Sequence, residues 1–206
     1  AQYSESTQDR TSVNDDHRLN FRFEHSFDST NSIVVTPRIT FQRNRSEGVS
    51  GAVVANDDGT LLSRTNNVHR THREGFTFTN GLLYRHKFAL KRRTFSANLT
   101  TSISNQDSRG TLVADNWYTT DTTATTHLDQ RSDGGSLTQR HGLDLSYTEP
   151  LSRQSQLQLS VAPSVQLSDA EKLTYDTEPA SGAELLNTGL SNSADNNITT
   201  LRGGLS

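Results

Sequence analysis

Apolar residues in this chain recur at every second position within short blocks. Between residues 17 and 27, Leu19, Phe21, Phe23 and Phe27 alternate with Arg18, Asn20, Arg22, Glu24 and Ser26. In an extended chain successive side chains point to opposite faces, so this period predicts a strand with one apolar and one polar side. Ile33, Val35, Pro37, Ile39 and Phe41 repeat the pattern, with Val34 the one break in it. Further blocks carry Phe76, Phe78, Leu82, Tyr84 and Phe88, then Phe95, Ala97, Leu99 and Ile103. Two more carry Leu143, Leu145 and Tyr147, then Leu157 through Leu167. The alternation predicts strands over about 17–27, 32–43, 76–88, 94–104, 141–149 and 155–167, with another beginning at 198. Pro37 and Pro163 fall inside two of them. Proline has no N–H to give, so each predicts a bulge or a broken ladder.

The blocks are organised by a repeat of 61 to 63 residues. Its marker is Phe23-Glu24-His25-Ser26-Phe27, then Tyr84-Arg85-His86-Lys87-Phe88, then Tyr147-Thr148-Glu149-Pro150-Leu151. Each marker precedes a short turn, near Ser29, Lys91 and Arg153. Each hairpin is followed by a long polar connection, over about 44–75, 105–140 and 168–197. Loops of that length are uncommon in compact soluble domains. Short turns at one end and long loops at the other are the arrangement of outer-membrane barrels, with turns periplasmic and loops extracellular. His25 and His86 interrupt the apolar face only at its turn-proximal end, at the depth of the membrane interface.

Composition sharpens this reading. Only 30% of the 206 residues are hydrophobic, too few for an ordinary soluble core, but a barrel strand needs only one apolar face. The net charge of −3 offers no basic field for nucleic acid, and the absence of cysteine excludes disulfides and thiolate metal sites. No run of apolar residues is long enough for a membrane-spanning helix. His69-Arg70-Thr71-His72 has a metal-like spacing, but on a strand the two imidazoles point to opposite sides. Asn56-Asp57-Asp58-Gly59 reads as a turn and not a calcium loop, and Asp133-Gly134-Gly135 is expected to be a turn as well. No nucleophile motif, phosphate loop or metal cluster is present, so neither an enzymatic role nor a cofactor is expected.

The stretches 28–41, Asn80-Gly81-Leu82-Leu83-Tyr84-Arg85-His86-Lys87-Phe88 and 147–155 resemble TonB-dependent-receptor-type outer-membrane barrels of Bacteroidota. The resemblance covers about residues 16–167. It implies an all-β, antiparallel up-and-down meander forming part of a transmembrane barrel in the cell outer membrane. It also implies outer-membrane lipid, a plug domain and the TonB system as partners of the parent protein, and it admits a surface lipoprotein. Six whole strands and part of a seventh are too few to close such a barrel, so the chain is expected to be a barrel fragment without the plug.

Candidate site residues follow from the faces. Arg18, Arg22, Glu24, Arg38, Arg85 and Lys87 are expected to face the lumen. There they either hydrate and pair along the wall, the plainer account, or contact a plug or an anionic solute. Trp117 and Tyr118, in the connection over 105–140, are candidate contact residues for a solute or partner. Besides nutrient uptake, two functions fit the pattern: a structural or secretion-associated barrel, and a soluble β-sandwich adhesin.

Overall fold

The computed structural model describes residues 2–119 and 125–206. The described residues form nine strands: β1 (Gln2–Asn20), β2 (Phe23–Ser26), β3 (Asn31–Asn56), β4 (Leu61–Lys87), β5 (Thr94–Tyr118), β6 (Thr126–Pro150), β7 (Gln156–Thr177), β8 (Glu184–Leu186) and β9 (Asn192–Leu205). They make one antiparallel sheet. From β3 to β7 each strand pairs with the next in the chain. β1 and β2 lie end to end along β3, and β8 and β9 lie end to end along β7. The expected up-and-down meander is therefore what forms. Among the described residues β1 and β9 do not meet, and the sheet stays open.

Both prolines break a ladder without shifting it. The amide of Phe21 donates to the carbonyl of Pro37 at 3.0 Å, and Pro37 has no N–H to return. The strand expected over 17–27 consequently divides into β1 and β2, while the register of Asn20↔Arg38 and Phe23↔Val35 stays in step. Pro163 interrupts the β6–β7 pairing in the same way, between Gly142↔Ser164 and Leu145↔Val161.

The strands run much further than the apolar blocks. Most of the segments expected as loops over 44–75, 105–140 and 168–197 is ladder. β3 and β4 remain paired from Asn44↔Arg73 to Val54↔Ser63, so the connection between them shrinks to residues 57–60. β5 and β6 stay paired from Asn105↔Leu137 to Asn116↔Thr126, and residues 120–124 of the expected loop lie outside the described residues. In the third segment β7 continues to Thr177, followed by β8 and the start of β9. The physical reason is that both faces are polar there. Hydrophobic periodicity vanishes while the backbone can still pair. Asp133-Gly134-Gly135 is likewise not a turn but the middle of β6. A Cβ on Gly134 would stand 2.8 Å from Ser108 Oγ, so glycine there serves close approach of a neighbouring side chain.

The turns after β2, β4 and β6 lie at one end of the sheet. In the first, Asp28 Oδ1 accepts from the amides of Thr30 at 2.6 Å and Asn31 at 2.8 Å. In the second, Arg92 adopts a left-handed φ of 72°. Its guanidinium reaches the third turn, donating to the carbonyl of Arg153 at 2.7 Å. At the opposite end Gly59, with φ of 85°, closes the β3–β4 hairpin through the Asp-Gly turn that the sequence signals.

The sheet is a single layer and has almost no interior. Val34, Ala55, Gly110, Ala114 and Thr174 are its only buried residues among those described, whereas Phe21 is 62% and Phe41 54% exposed. A β-sandwich would bury these rings between two sheets, so the sandwich alternative does not describe this fold.

Candidate functional site

The register assigns every strand residue to one of two faces. One face carries an apolar band at the end near the short turns. Across β3, β4, β5, β6 and β7 a single row reads Val35, Leu82, Leu99, Leu143, with Pro163 facing the last across the broken ladder. At about 3.3 Å per residue and a tilt of about 40°, Leu157 to Leu167 spans about 25 Å, the height of an outer-membrane apolar belt. Aromatic rings collect at its two rims. Phe41 and Phe76 stand directly opposite each other with centroids 5.1 Å apart. At the turn side His25 meets Phe27 edge-on at 4.9 Å and His86 meets Phe88 at 4.4 Å, which places both imidazoles at the rim. One row interrupts the middle of the band: Pro37, Asn80, Thr101 and His141. Thr101 Oγ1 and His141 Nδ1 are 3.3 Å apart, but Asn80 Oδ1 is buried without a hydrogen-bond partner.

Two residues beyond the band this same face turns ionic. Arg43 bonds Glu74 at 2.9 Å, Arg70 bonds Glu47 at 2.9 Å and Arg109 bonds Asp133 at 3.0 Å. Each pair joins residues directly opposite in register, the arrangement that makes cross-strand charges attractive. Further out, Arg131 holds Glu184 through two nitrogens at 2.8 Å each, also bonds Asp133, and lies 4.5 Å above the Tyr175 ring. The guanidinium keeps the Glu184 carboxyl below its usual range. Of the six arginines on this face, only Arg45 and Arg64 have no carboxylate partner among the described residues, and Arg64 stacks over Trp117 at 6.0 Å.

The other face is dominated by Ser, Thr, Asn, Gln and Gly, with Val34, Leu83, Leu112 and Leu128 among its few apolar residues. Thr100 Oγ1 donates to the Gly142 carbonyl at 3.3 Å, and Ser108 Oγ to that of Gly134 at 3.4 Å. Arg18, Glu24, Arg38, Arg85 and Lys87 lie on this face by register, and Arg22 falls between β1 and β2 in the same alternation. They are spread along the wall and not gathered into one cluster. Arg18 pairs with Asp16 at 3.5 Å, Arg22 with Glu24 at 2.8 Å, and Arg38 donates to Asn20 Oδ1 at 2.8 Å. Five further cations on this face escape the sequence reading: Arg10, Arg73, Arg140, Lys172 and Arg202. Most fall outside the apolar blocks or at their ends, where no alternation of hydrophobicity revealed which way they point. Among the described residues, the only acids there are Asp16, Glu24, Asp144 and Asp176.

Trp117 and Tyr118 stand at the outer end of β5, not in an irregular loop, and alternate to opposite faces, 44% and 41% exposed. His69 and His72 also point to opposite sides, and no group of three metal-binding side chains exists among the described residues.

No family model matches the chain, and no curated protein does. Among solved structures it is similar to the ferric citrate transporter FecA in its unliganded form, at 9% identity and a TM-score of 0.35, over 93% of this chain and 33% of that one. It is also similar to the ferric-catecholate import receptor Fiu of E. coli K12. The closed form matches at 9% identity and a TM-score of 0.21, over 95% of this chain and 47% of that one. The open form matches at 9% identity and a TM-score of 0.21, over 96% and 51%. The chain spans about a third to a half of the length of the solved structures it matches.

Proposed function

We propose that this chain is a section of the wall of an outer-membrane transporter barrel, of the TonB-dependent nutrient-uptake type. The observation that carries the reading is the apolar band. A one-layer sheet leaves Phe21, Phe41, Leu99 and Leu201 uncovered, and a contiguous apolar surface of that kind needs a non-aqueous neighbour. Its height and rim aromatics fit lipid, and the abrupt change to ion pairs fits the passage from hydrocarbon to headgroups and water. The hydroxyl- and amide-rich face is then the lumen wall, and the open edges are where the rest of a barrel would pair.

On this reading the protein resides in the outer membrane and serves passage, not catalysis. Arg18, Arg22, Glu24, Arg38, Arg85 and Lys87 line the lumen. Trp117 and Tyr118 sit at the extracellular tip as contact residues. The parent protein would hold a plug, work with the TonB system and accept a surface lipoprotein, as the resemblance to Bacteroidota receptors implies.

The test compares Leu99→Arg with Asn98→Arg in the full-length protein refolded into lipid bilayers. The two positions are adjacent but on opposite faces. Arginine at position 99 is expected to cost about 2–4 kcal/mol and arginine at position 98 little. Equal yields would refute the assignment. Transport itself is tested by growth that depends on this protein, which is expected to stop when the TonB system is deleted.

A further inference from the structure

The geometry points to an anion-binding site on the polar face, centred on Arg10 and Arg73, that accepts a solute carrying several carboxylate or phosphate groups. The inference rests on the barrel reading for its location in the lumen, and on the side chains for its chemistry.

The polar face collects ten of the chain's twenty basic residues: the five named at first, Arg18, Arg22, Arg38, Arg85 and Lys87, and the five others above. Four acids oppose them, and only Arg18 and Arg22 are engaged by a carboxylate among the described residues. The whole chain is net negative, so this excess is a segregation of charge and not a reflection of composition. A wall of low dielectric carrying uncompensated charge concentrates its field in the space it faces.

Two adjoining hollows bring two of the cations without a carboxylate partner to one place, just beyond the outer rim of the apolar band. They have volumes of about 330 and 250 Å³ and share Arg10, Asn44 and Arg73. Arg10 is oriented by one hydrogen bond, Nε to Ser46 Oγ at 3.1 Å, which leaves its terminal nitrogens free. Asn44 Nδ2 donates to Ser12 Oγ at 3.1 Å and to Asn14, tying β1 to β3 between the two arginines. Arg73 has no hydrogen-bond or ionic partner among the described residues. Glu74, its neighbour in sequence, points to the other face and is occupied by Arg43. Seryl, threonyl and amide groups line most of the remainder, including Thr77, Ser104 and Gln106, and Glu74, held by Arg43, also borders the larger hollow. A guanidinium presents its donors as a planar fork that matches carboxylate and phosphate oxygens. Two such forks, with no carboxylate to claim them, suit a ligand with anionic groups at both ends.

The experiment uses the full-length protein in detergent micelles at low ionic strength, with inorganic pyrophosphate as the probe and titration calorimetry as the readout. Pyrophosphate is expected to bind, to weaken at least about tenfold in Arg10→Gln/Arg73→Gln, and to weaken steeply with added salt. Arg45→Gln, an unpaired arginine on the opposite face, should leave binding unchanged. Each single variant should fall between. Absence of binding to the unaltered protein, or equal binding by the double variant and by Arg45→Gln, overturns the site. The Leu99 and Asn98 pair keeps the two readings separable. Failed pyrophosphate binding with a penalised Leu99→Arg removes the site and keeps the barrel wall. Intact binding with equal arginine yields removes the lumen and keeps the site.

Discussion

The two faces of this sheet are made by the same strands, yet they treat charge in opposite ways. On the banded face, three of the six arginines beyond the apolar belt stand directly opposite carboxylates, in Arg43–Glu74, Glu47–Arg70 and Arg109–Asp133. On the polar face most cations have none, and Arg73 has no partner among the described residues. Exposed ion pairs contribute little to stability individually. On the proposed barrel reading, their concentration on one face neutralises the surface next to lipid headgroups, while the inner surface keeps its field. A strand's period of two allows this because every residue is committed to one side and its neighbour to the other. The sheet thereby solves two solvation problems with one backbone ladder.

The comparison breaks most readily at the band. Arginine placed along the banded side of β4 should show a gradient with depth. Leu82→Arg, level with Leu99 and Val35, is expected to cost about 2–4 kcal/mol, and Phe76→Arg, at the rim, about 0–1 kcal/mol. Thr79→Arg, on the polar face of the same strand, should change little. Denaturant titration of the full-length protein in bilayers measures all three. A flat series would mean that lipid does not contact this face.

How far the sequence was legible follows the same division. Where one face is apolar, alternation located the strands, their order and the face of residues as different as Arg22 and Phe23. Where both faces are polar, as from Arg43 to Val49 on β3, hydrophobicity carries no period and the strand is read as loop. Pairing there is held by backbone bonds and by contacts such as Arg70–Glu47, whose partners are 23 residues apart in the chain and known only once the register is known. The cations Arg10 and Arg73 were missed for this reason. Asp133-Gly134-Gly135 misleads differently: its glycines carry a turn signal, but they are used to admit Ser108 beside the ladder. Pro37 and Pro163 were legible because their effect is covalent and needs no partner to be known.

A smaller effect sharpens the comparison from within the band. Asn80 carries the one buried side-chain oxygen of that face left without a partner among the described residues, between Phe78 and Leu82 on the same side of β4. An unsatisfied buried polar atom costs about 1–3 kcal/mol. Asn80→Leu should therefore stabilise the bilayer-inserted protein by about 1–2 kcal/mol, whereas Asn98→Leu, on the polar face, should not. Equal changes at the two sites in the same denaturant titration would show that Asn80 is satisfied by a contact outside this sheet.

The smallest effect lies at the short turns, outside the band, where pH should act on one carboxylate. Asp28 accepts from the Thr30 hydroxyl at 2.6 Å, from the Asn31 side-chain amide at 2.8 Å, and from both backbone amides. These bonds, with the Thr30 hydroxyl first, hold its carboxyl well below the ordinary value of 3.8. The sign follows from linkage. A carboxylate whose folded pKa is depressed stabilises the folded turn fully above the unfolded value. That contribution is lost progressively as pH falls from there toward the folded value. Asp28 is exposed, so water screens the effect and it should stay local. Opening of the turn, measured by amide exchange at Thr30 and Asn31 and corrected for intrinsic rates, should rise by less than about tenfold between pH 5 and pH 3. Asp28→Asn keeps an acceptor oxygen but cannot titrate, so its exchange should be nearly independent of pH over that range and faster than the unaltered protein at pH 5. The turn after β6, capped by the Ser152 hydroxyl at 3.1 and 3.0 Å, has no carboxylate and serves as the internal reference. If the two turns open in parallel as pH falls, the transition belongs to the whole sheet edge and not to Asp28.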